Sequence, residues 1–249
     1  MHTSRGVGYM NPDEPVFEIL ALVWEAKRRL PKVSDYRRIA RKRQTESPDH
    51  VIQRYGTWSR VLEDFFQAYF TLHGYPTIPD YLFGALFSRA KVVRDKRGRW
   101  YLRFVSDDTT QIEILRSFMR RSAATLVNRG KPSLYLRCYD VELICAYEHA
   151  CKTEPVFRPT VDFVRGYIDT HSHFRKDPSG RDRLTLTGPL VPECHDFLVA
   201  LGARNTRVSR VKDSYRMNVH AGSLRRIREA LYPPGCVCNP EIRARIFTV

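Results

Sequence analysis

The sequence has 249 residues, 43% of them hydrophobic, which is enough for one large domain or two to three small ones. Its 42 Lys and Arg against 27 Asp and Glu give a formal charge of +15, which favours a polyanionic partner, either nucleic acid or an anionic membrane surface. No apolar run in the sequence approaches the ~18 residues of a membrane span, and the N-terminus lacks the apolar core of a signal peptide. These observations exclude a membrane-spanning or secreted protein and predict a cytoplasmic one.

Four short helices are predicted after an N-terminal tail of residues 1–15. Apolar residues recur at helical spacing in VFEILALVWEAKRR, residues 16–29. Ser34, Ser47 and Thr57 are predicted to cap the next three helices, and the helix that Ser47 caps is predicted to end at Gly56. Residues 16–75 are therefore predicted to form a compact all-α module of the helix-turn-helix kind.

This module resembles the homing-endonuclease-associated repeat, a small DNA-binding helical unit. The resemblance lies in KVSDYRRIARKR and in the turn Tyr55-Gly56-Thr57-Trp58; a generic helical bundle is the alternative. Five cations within seven residues, with no intervening acid, repel one another unless phosphates neutralise them. The predicted phosphate contacts of the second helix are Arg37, Arg38, Arg41, Lys42 and Arg43.

An internal repeat begins near residue 79. At an offset of 82, Gly84 aligns with Gly166 and Gly98 with Gly180, and after a one-residue deletion SLYLRCYD aligns with SYRMNVHA. Each copy reads as helix, hairpin, helix, hairpin, helix, an α+β plan. The predicted units are residues 79–155 and 159–235, followed by a C-terminal tail of residues 236–249 for which no element is predicted.

Alternation along four strands predicts one apolar and one basic face for each sheet. In RWYLRFVS, Leu102 and Phe104 face the core while Tyr101 and Arg103 face outward. An ordinary solvated face mixes charges of both signs, yet residues 89–103 hold seven Lys or Arg and one acid, Asp95. Arginine suits guanine, asparagine suits adenine, and threonine can contact the thymine methyl group.

The repeated unit with a glycine-bearing first helix resembles the LAGLIDADG homing endonucleases. The resemblance implies that the two first helices pack together at Gly84 and Gly166, and that two four-stranded sheets form a pseudo-twofold saddle over the DNA major groove. It also implies a monomer whose internal pseudo-symmetry replaces a dimer. The DNA-binding residues predicted in the repeat are Lys91, Arg94, Lys96, Arg97, Arg99, Tyr101, Arg103, Tyr135, Arg137, Tyr139, His173, Arg175, Arg181, Arg183, Thr185, Arg216, Asn218 and His220.

The resemblance does not extend to the catalytic acids of the family. The eighth motif position, where the family carries its metal-binding carboxylate, is Arg89 in the first copy and His171 in the second. An Arg there repels a divalent cation by about 4 kcal/mol per unit charge at ~4 Å and an effective dielectric near 20. We therefore predict no catalytic residue, metal or cofactor, with Arg89 and His171 as phosphate contacts. Asp169, at the sixth position, is predicted to be structural.

Two weak metal signals remain beside these predictions. Cys236 and Cys238 form the only close cysteine pair, and His171 and His173 lie two residues apart. Reduced structural thiols are the preferred interpretation of all six cysteines.

The sequence thus predicts a sequence-specific double-stranded DNA-binding protein, catalytically inactive and associated with the nucleoid, which acts as a transcriptional regulator. A residual endonuclease or nickase is one alternative. An RNA-binding group I intron maturase is another, disfavoured because the deep A-form major groove does not admit side chains.

Overall fold

The computed structural model describes residues 14–248 with the exception of residues 28, 121, 130, 153–156, 177–179 and 181. The described part of the chain divides into two compact units: the residues up to 76 together with 94–100, and residues 77–93 together with those from 101 onward. Among the described helices, none is long and apolar enough to cross a membrane.

The first unit is built on the four predicted helices. They are α1 (Pro15–Lys27), α2 (Val33–Arg43), α3 (Pro48–Tyr55) and α4 (Trp58–His73). Aromatic rings fill its core: Trp24 meets Phe66 edge-on at a centroid distance of 4.8 Å, and Tyr36 meets Trp58 at 5.6 Å. These T-shaped contacts add to the apolar burial that holds helices of this length together.

Two of the three predicted caps are confirmed. Ser47 Oγ accepts from His50 N, and Thr57 Oγ1 accepts from Arg60 N at 3.2 Å. The prediction for Ser34 is wrong, because α2 begins at Val33 and the carboxylate of buried Asp35 accepts from the N-cap amide of Lys32 at 3.1 Å. The neighbouring Lys27 ammonium lowers the pKa of Asp35 to about 2.

From Asp80 onward the chain forms helix, hairpin, helix, hairpin, helix twice, as predicted. The first copy comprises α5 (Asp80–Leu86), β1 (Lys91–Arg94), β2 (Trp100–Ser106), α6 (Thr109–Phe118), β3 (Ser122–Arg129), β4 (Lys131–Cys138) and α7 (Val141–Lys152). The second comprises α8 (Val161–His171), β5 (Ser172–Lys176), β6 (Asp182–Gly188), α9 (Val191–Ala200), β7 (Arg207–Val211), β8 (Ser214–His220) and α10 (Ala221–Leu231).

Each copy contributes one antiparallel four-stranded sheet, with orders β1-β2-β4-β3 and β5-β6-β8-β7. In the first sheet Leu102 is opposite Cys138, and in the second Leu184 is opposite Val219. All four side chains are buried. Because successive side chains of a strand alternate, the residues between them lie on the opposite, outer face of each sheet, away from the helices.

The first helices of the two copies pack against each other at the predicted glycines. A β carbon on Gly84 would collide with the carbonyl group of Phe163, and one on Gly166 with the carbonyl group of Tyr81. Only glycine permits this backbone approach. The two-copy α+β architecture predicted from the sequence is therefore confirmed.

The structure adds one helix that the sequence does not predict, α11 (Pro240–Thr248). Asn239 is fully buried before it and caps it, since Asn239 Oδ1 accepts from the amide of Glu241 at 3.0 Å. Asn239 Nδ2 also donates to Asp108 at 2.7 Å. The C-terminal segment is thereby tied to the first copy as well as to the second.

Candidate nucleic-acid interface

Two arginines face each other across the centre of the first sheet. Arg103 on β2 pairs with Arg137 on β4 in the antiparallel register, on the outer face. Within the described residues, neither has a carboxylate at ion-pair distance, and the buried Nε of Arg137 has no hydrogen-bond partner. Like charges directly opposite each other destabilise a sheet, so this pair favours the binding of an anion.

Three tyrosines surround these arginines. Tyr135 and Tyr139 are half-buried on the outer face, as predicted. Tyr101 was predicted to contact DNA but is only 8% exposed, because its ring packs 5.4 Å from that of Tyr139 and the Arg137 guanidinium lies 5.7 Å above it. We correct its role: Tyr101 positions Arg137 and Tyr139 and presents little surface itself.

The corresponding position of the second sheet holds a neutral pair. Thr185 is opposite Asn218, and their equivalents at offsets of 82 and 81 are Arg103 and Arg137. The Thr185 hydroxyl donates to Asn218 Oδ1 at 3.0 Å. Thr185 is only 1% exposed, so of this predicted pair Asn218 offers the accessible polar group.

Other predicted residues of the second sheet gather on the same outer face. Arg183 is opposite His220, and Arg216 is opposite Thr187. On the edge strand, His173 and Arg175 are opposite Thr185 and Arg183. The buried Nε atoms of Arg183 and Arg216 have no partner among the described residues. Arg181 lies outside the described residues.

His173 lies beside Arg175 and Arg216, and it is neutral near pH 7. Desolvation by burial and the positive charges of both arginines lower the pKa of His173. It can thus act as an uncharged hydrogen-bonding group beside the arginines of this face.

Two further residues of this face, on β7, are absent from the sequence-based prediction. Arg207 is opposite Asn218 and Ser209 is opposite Arg216, so both share the outer face. Arg207 is exposed. The period-2 alternation of RVSRV would have predicted that both lie on the same face of the strand.

Two of the predicted DNA-binding cations of the first hairpin have partners within the protein. Arg94 forms an ion pair with Glu63, and Arg99 Nε lies 2.7 Å from Asp95 Oδ2. The sequence-based expectation that the whole cluster is unneutralised is therefore wrong. The pairing of Arg94 was not expected because Glu63 lies far from it in the sequence. Lys91, Lys96 and Arg97 are exposed.

The predicted cations of α2 share an exposed surface of the first unit. All five are exposed, and Arg43 lies 3.6 Å from Glu18. The members of the set are Arg37, Arg38, Arg41, Lys42 and Arg43.

The ends of the two first helices differ from each other. Arg89 is exposed, whereas His171 is 3% exposed and its ring stacks on Tyr167 at 4.0 Å. His171 Nδ1 lies 3.1 Å from the Tyr167 carbonyl oxygen, which can only accept, so Nδ1 carries the proton. Ser88 Oγ lies 3.0 Å from Nε2 and can donate to it.

Burial and the charge of Arg89 lower the pKa of His171 to about 3, so the imidazole is neutral. The prediction that His171 contacts phosphate is therefore wrong: the side chain is enclosed and uncharged. Arg89 retains the exposure that such a contact needs.

Asp169 is buried in the second unit, where three hydrogen bonds converge on its carboxylate. It accepts hydrogen bonds from Tyr81 Oη at 2.9 Å, Tyr232 Oη at 2.7 Å and Asn239 N at 2.6 Å. Both carboxylate oxygens are used by these donors, which leaves a poor ligand for a divalent cation. The geometry agrees with a structural role for Asp169.

Neither a family model nor a curated protein matches the sequence. Among solved structures, the chain is similar to the homing endonuclease I-DmoI in complex with DNA and Ca, at 15% identity over 68% of this chain and 96% of that one, with a TM-score of 0.48. It is similar to the homing endonuclease I-WcaI bound to its DNA recognition sequence, at 14% identity over 73% and 92%, with a TM-score of 0.46. It is also similar to full-length DUF199/WhiA from Thermatoga maritima, at 16% identity over 71% and 63%, with a TM-score of 0.45.

Proposed function

We propose that this LAGLIDADG-like protein binds double-stranded DNA sequence-specifically without cleaving it and acts as a transcriptional regulator. The observation that carries the proposal is the cross-strand pair of Arg103 and Arg137. Two arginines at directly opposite positions of neighbouring strands, without a carboxylate partner among the described residues, are stabilised when an anionic ligand lies across them. Guanine edges and backbone phosphates in a major groove supply the matching acceptors.

Sequence specificity is supported by the neutral pair in the second sheet. Because Thr185 donates to Asn218 Oδ1, the amide orientation is set before DNA binds. An asparagine recognises adenine by donating from Nδ2 to N7 and accepting at Oδ1 from the N6 amino group. A guanine-reading centre in one sheet and an adenine-reading centre in the other predict a site with two unlike halves.

A non-cleaving role is supported by the side chains at the ends of the first helices. Arg89 carries a positive charge where a divalent cation would need a carboxylate, and His171 is buried. Asp169 is engaged by three donors. Tight binding that leaves the DNA intact is what a regulator requires, which favours this role over a residual nuclease.

The basic surface of α2 supplies contacts of a different kind. Exposed lysines and arginines on a helix neutralise phosphates irrespective of sequence. We assign to them general affinity, while the outer faces of the two sheets select the sequence.

The test is a selection of bound fragments from random duplex DNA, run with and without Mg²⁺. We expect one enriched, partly symmetric site and intact DNA in both conditions. The R103A/R137A variant should bind that site at least about tenfold more weakly, the loss expected when base contacts are removed. R116A/R120A is the matched control, since it removes the same charge from exposed positions on and after α6.

Three results would contradict the proposal. They are Mg²⁺-dependent cutting of the selected site, equal losses in the two double variants, and displacement of the duplex by structured RNA at lower concentration than by duplex competitor. The last would favour the RNA-binding alternative.

A further inference from the structure

The two copies of the repeat differ in how they fill the space beside the first helix. In the second copy the phenol ring of Tyr167 fills it. The ring stacks on His171 at a centroid distance of 4.0 Å, and its oxygen accepts from the Leu190 amide at 3.3 Å. A β carbon on Gly188 would collide with the Tyr167 hydroxyl. Three residues of the second copy therefore enclose this ring.

The first copy has a cavity at the corresponding position. At the repeat offset of 82, the counterpart of Tyr167 is Ala85, whose side chain is a single methyl group. The counterparts of the three residues that enclose the ring all line one open cavity of about 540 Å³. They are Arg89, Ser106 and Asp108. The first copy thus has a cavity where the second copy has an aromatic ring.

Apolar side chains form part of the cavity wall. Phe104 comes from β2 and Ile242 from α11. Helix α11 is held beside the first copy because Asn239 Nδ2 donates to Asp108 at 2.7 Å. Phe104 and Ile242 offer a surface against which a planar ring can pack.

The cavity also has one cation and one carboxylate that are available to a ligand. Arg89 and Asp107 both line it, both are exposed, and neither forms an ion pair with a described residue. The remaining carboxyl groups of the wall are occupied: Asp108 accepts from Gln111 N and from Asn239 Nδ2, and three donors converge on Asp169. Arg89 disfavours a cationic ligand and Asp107 an anionic one, so a ligand that carries both charges fits best.

Two buried polar atoms in the wall residues lack hydrogen-bond partners. Ser172 Oγ has no partner among the described residues. Gln111 Nε2, on a side chain that is 1% exposed, lies near the Tyr81 hydroxyl but outside hydrogen-bond geometry. Leaving buried polar groups unpaired costs free energy, so this observation points to a polar ligand independently of the repeat.

We infer that this cavity binds a free aromatic α-amino acid. The ring of the ligand occupies the position that the Tyr167 ring has in the second copy. The carboxylate pairs with Arg89, whose guanidinium fork matches it, and the ammonium group pairs with Asp107. The inference goes beyond the proposed function and does not depend on it, because the ligand binds in the absence of DNA.

The experiment is isothermal titration calorimetry of the full chain near neutral pH. We expect L-phenylalanine and L-tyrosine to bind at one site per protein molecule. Phenethylamine lacks the carboxylate and 3-phenylpropionate lacks the ammonium group. Each should bind at least about tenfold more weakly than L-phenylalanine, because each loses one charge-assisted interaction.

Two variants test the assigned contacts. R89A should weaken L-phenylalanine at least about tenfold but leave phenethylamine unchanged, because phenethylamine has no carboxylate to lose. D107N should weaken L-phenylalanine similarly but leave 3-phenylpropionate unchanged. The matched controls are R116A, on α6, and D213N, at an exposed position between β7 and β8, and both should bind all ligands as the unaltered protein does.

A third variant tests the position of the ring. Ala85→Tyr introduces into the first copy the ring that Tyr167 provides in the second, so it should abolish amino-acid binding. Its unfolding temperature, measured in parallel, shows whether it is folded. If it is not, the opposite ligand preferences of R89A and D107N still decide, since a general folding defect would weaken all ligands alike.

Failure of both aromatic amino acids to bind would overturn the inference. So would equal binding of L-leucine, tighter binding of adenosine, or the same loss for all ligands in R89A and D107N. None of these results bears on DNA binding by the outer faces of the sheets. Conversely, failure to select any duplex would remove the proposed function and leave the amino-acid site standing.

Discussion

Gly84 and Phe163 are in backbone contact: the space that a β carbon on Gly84 would occupy is filled by the Phe163 carbonyl group. Gly166 has the same relation to Tyr81. Adding the repeat offset of 82 to 81 and 84 gives 163 and 166. Each glycine therefore contacts, in the other copy, the residue equivalent to the one three positions before itself. A pseudo-twofold axis therefore passes between α5 and α8, and the glycines are what allows the helices to meet there.

We predict that Gly84→Ala destabilises the second unit by about 1–3 kcal/mol or more, the range for overpacking, because the obstructing atoms are backbone and cannot rotate away. Gly166→Ala should cost a similar amount. The measurement is the free energy of unfolding in urea. Gly222→Ala is the matched control: it lies in α10, where a β carbon would have no neighbouring atom within 4 Å, so it should be neutral or stabilising. Equal behaviour of all three variants would contradict the assigned role.

Asp169 should make stability depend on pH. Burial raises its pKa from 3.8 to about 7, against the lowering effect of the hydrogen bonds from Asn239, Tyr232 and Tyr81. Between these values the unfolded chain has released a proton that the folded protein keeps. The contribution of this group to stability is therefore lost as pH rises from 3.8 to about 7.

The variant that tests this is Asp169→Asn, which does not titrate. It should be less stable at pH 5 by about 1–3 kcal/mol, because a buried donor is left without its acceptor. The difference in unfolding free energy between the unaltered protein and the variant should shrink as pH rises to 7. A difference that is constant or grows over that range would rule out the assigned protonation.

His171 should have the opposite pH dependence. Its pKa is lowered from 6.5 to about 3, first by burial and then by the charge of Arg89. Below pH 6.5 the unfolded chain gains a proton that the folded protein does not accept, so this contribution to stability is lost as pH falls toward 3. The ¹⁵N chemical shifts of His171 should be those of a neutral imidazole at pH 5.5.

Arg89→Ala should raise the pKa of His171, since it removes one of the two causes that lower it. Arg116→Ala is a suitable control because Arg116 lies on α6 and pairs with Glu113. Titration of His171 near pH 6.5 in the unaltered protein would contradict both the burial and the charge coupling.

The parts of the fold that can be predicted from the sequence are those that depend on local residue patterns. The glycine frame shared by Gly84 and Gly166 and the period-2 alternation around Leu102 and Leu184 depend on residues close in sequence. Both patterns can be recognised in the sequence without relying on the secondary-structure propensities of single residues. The order of elements and the faces of the central strands follow from them.

The parts that sequence did not predict depend on partners from distant positions. Helix α11 is short and is held by Asn239, whose contacts reach back to Asp108 and Asp169. The pairing of Arg94 with Glu63 joins residues 31 positions apart, since 94 − 63 = 31. His171 stacks on Tyr167, its neighbour on the same helix, but its other contact comes from Ser88 in the first copy, which local spacing does not predict.

The division of labour between the outer faces and α2 gives a prediction about specificity. Arg216 lies on the outer face of the second sheet opposite Thr187 and Ser209, whereas Arg41 is exposed on α2. Arg216→Ala should relax base choice at one position and cost about 1–3 kcal/mol on the selected site. Arg41→Ala should weaken binding to all sequences alike and lower the salt slope by about 1.

The two effects are distinguished by the affinity of each variant for the selected site and for its single-base substitutions, measured over a range of salt concentrations. Arg116→Ala serves as the control for loss of one exposed charge on α6, a helix outside both assigned sets of residues. Because a base-reading arginine loses discrimination and a phosphate-neutralising one loses only general affinity, the two variants must differ in the ratio of specific to non-specific binding. An identical ratio in both would show that the sheets and α2 do not contribute separately to recognition.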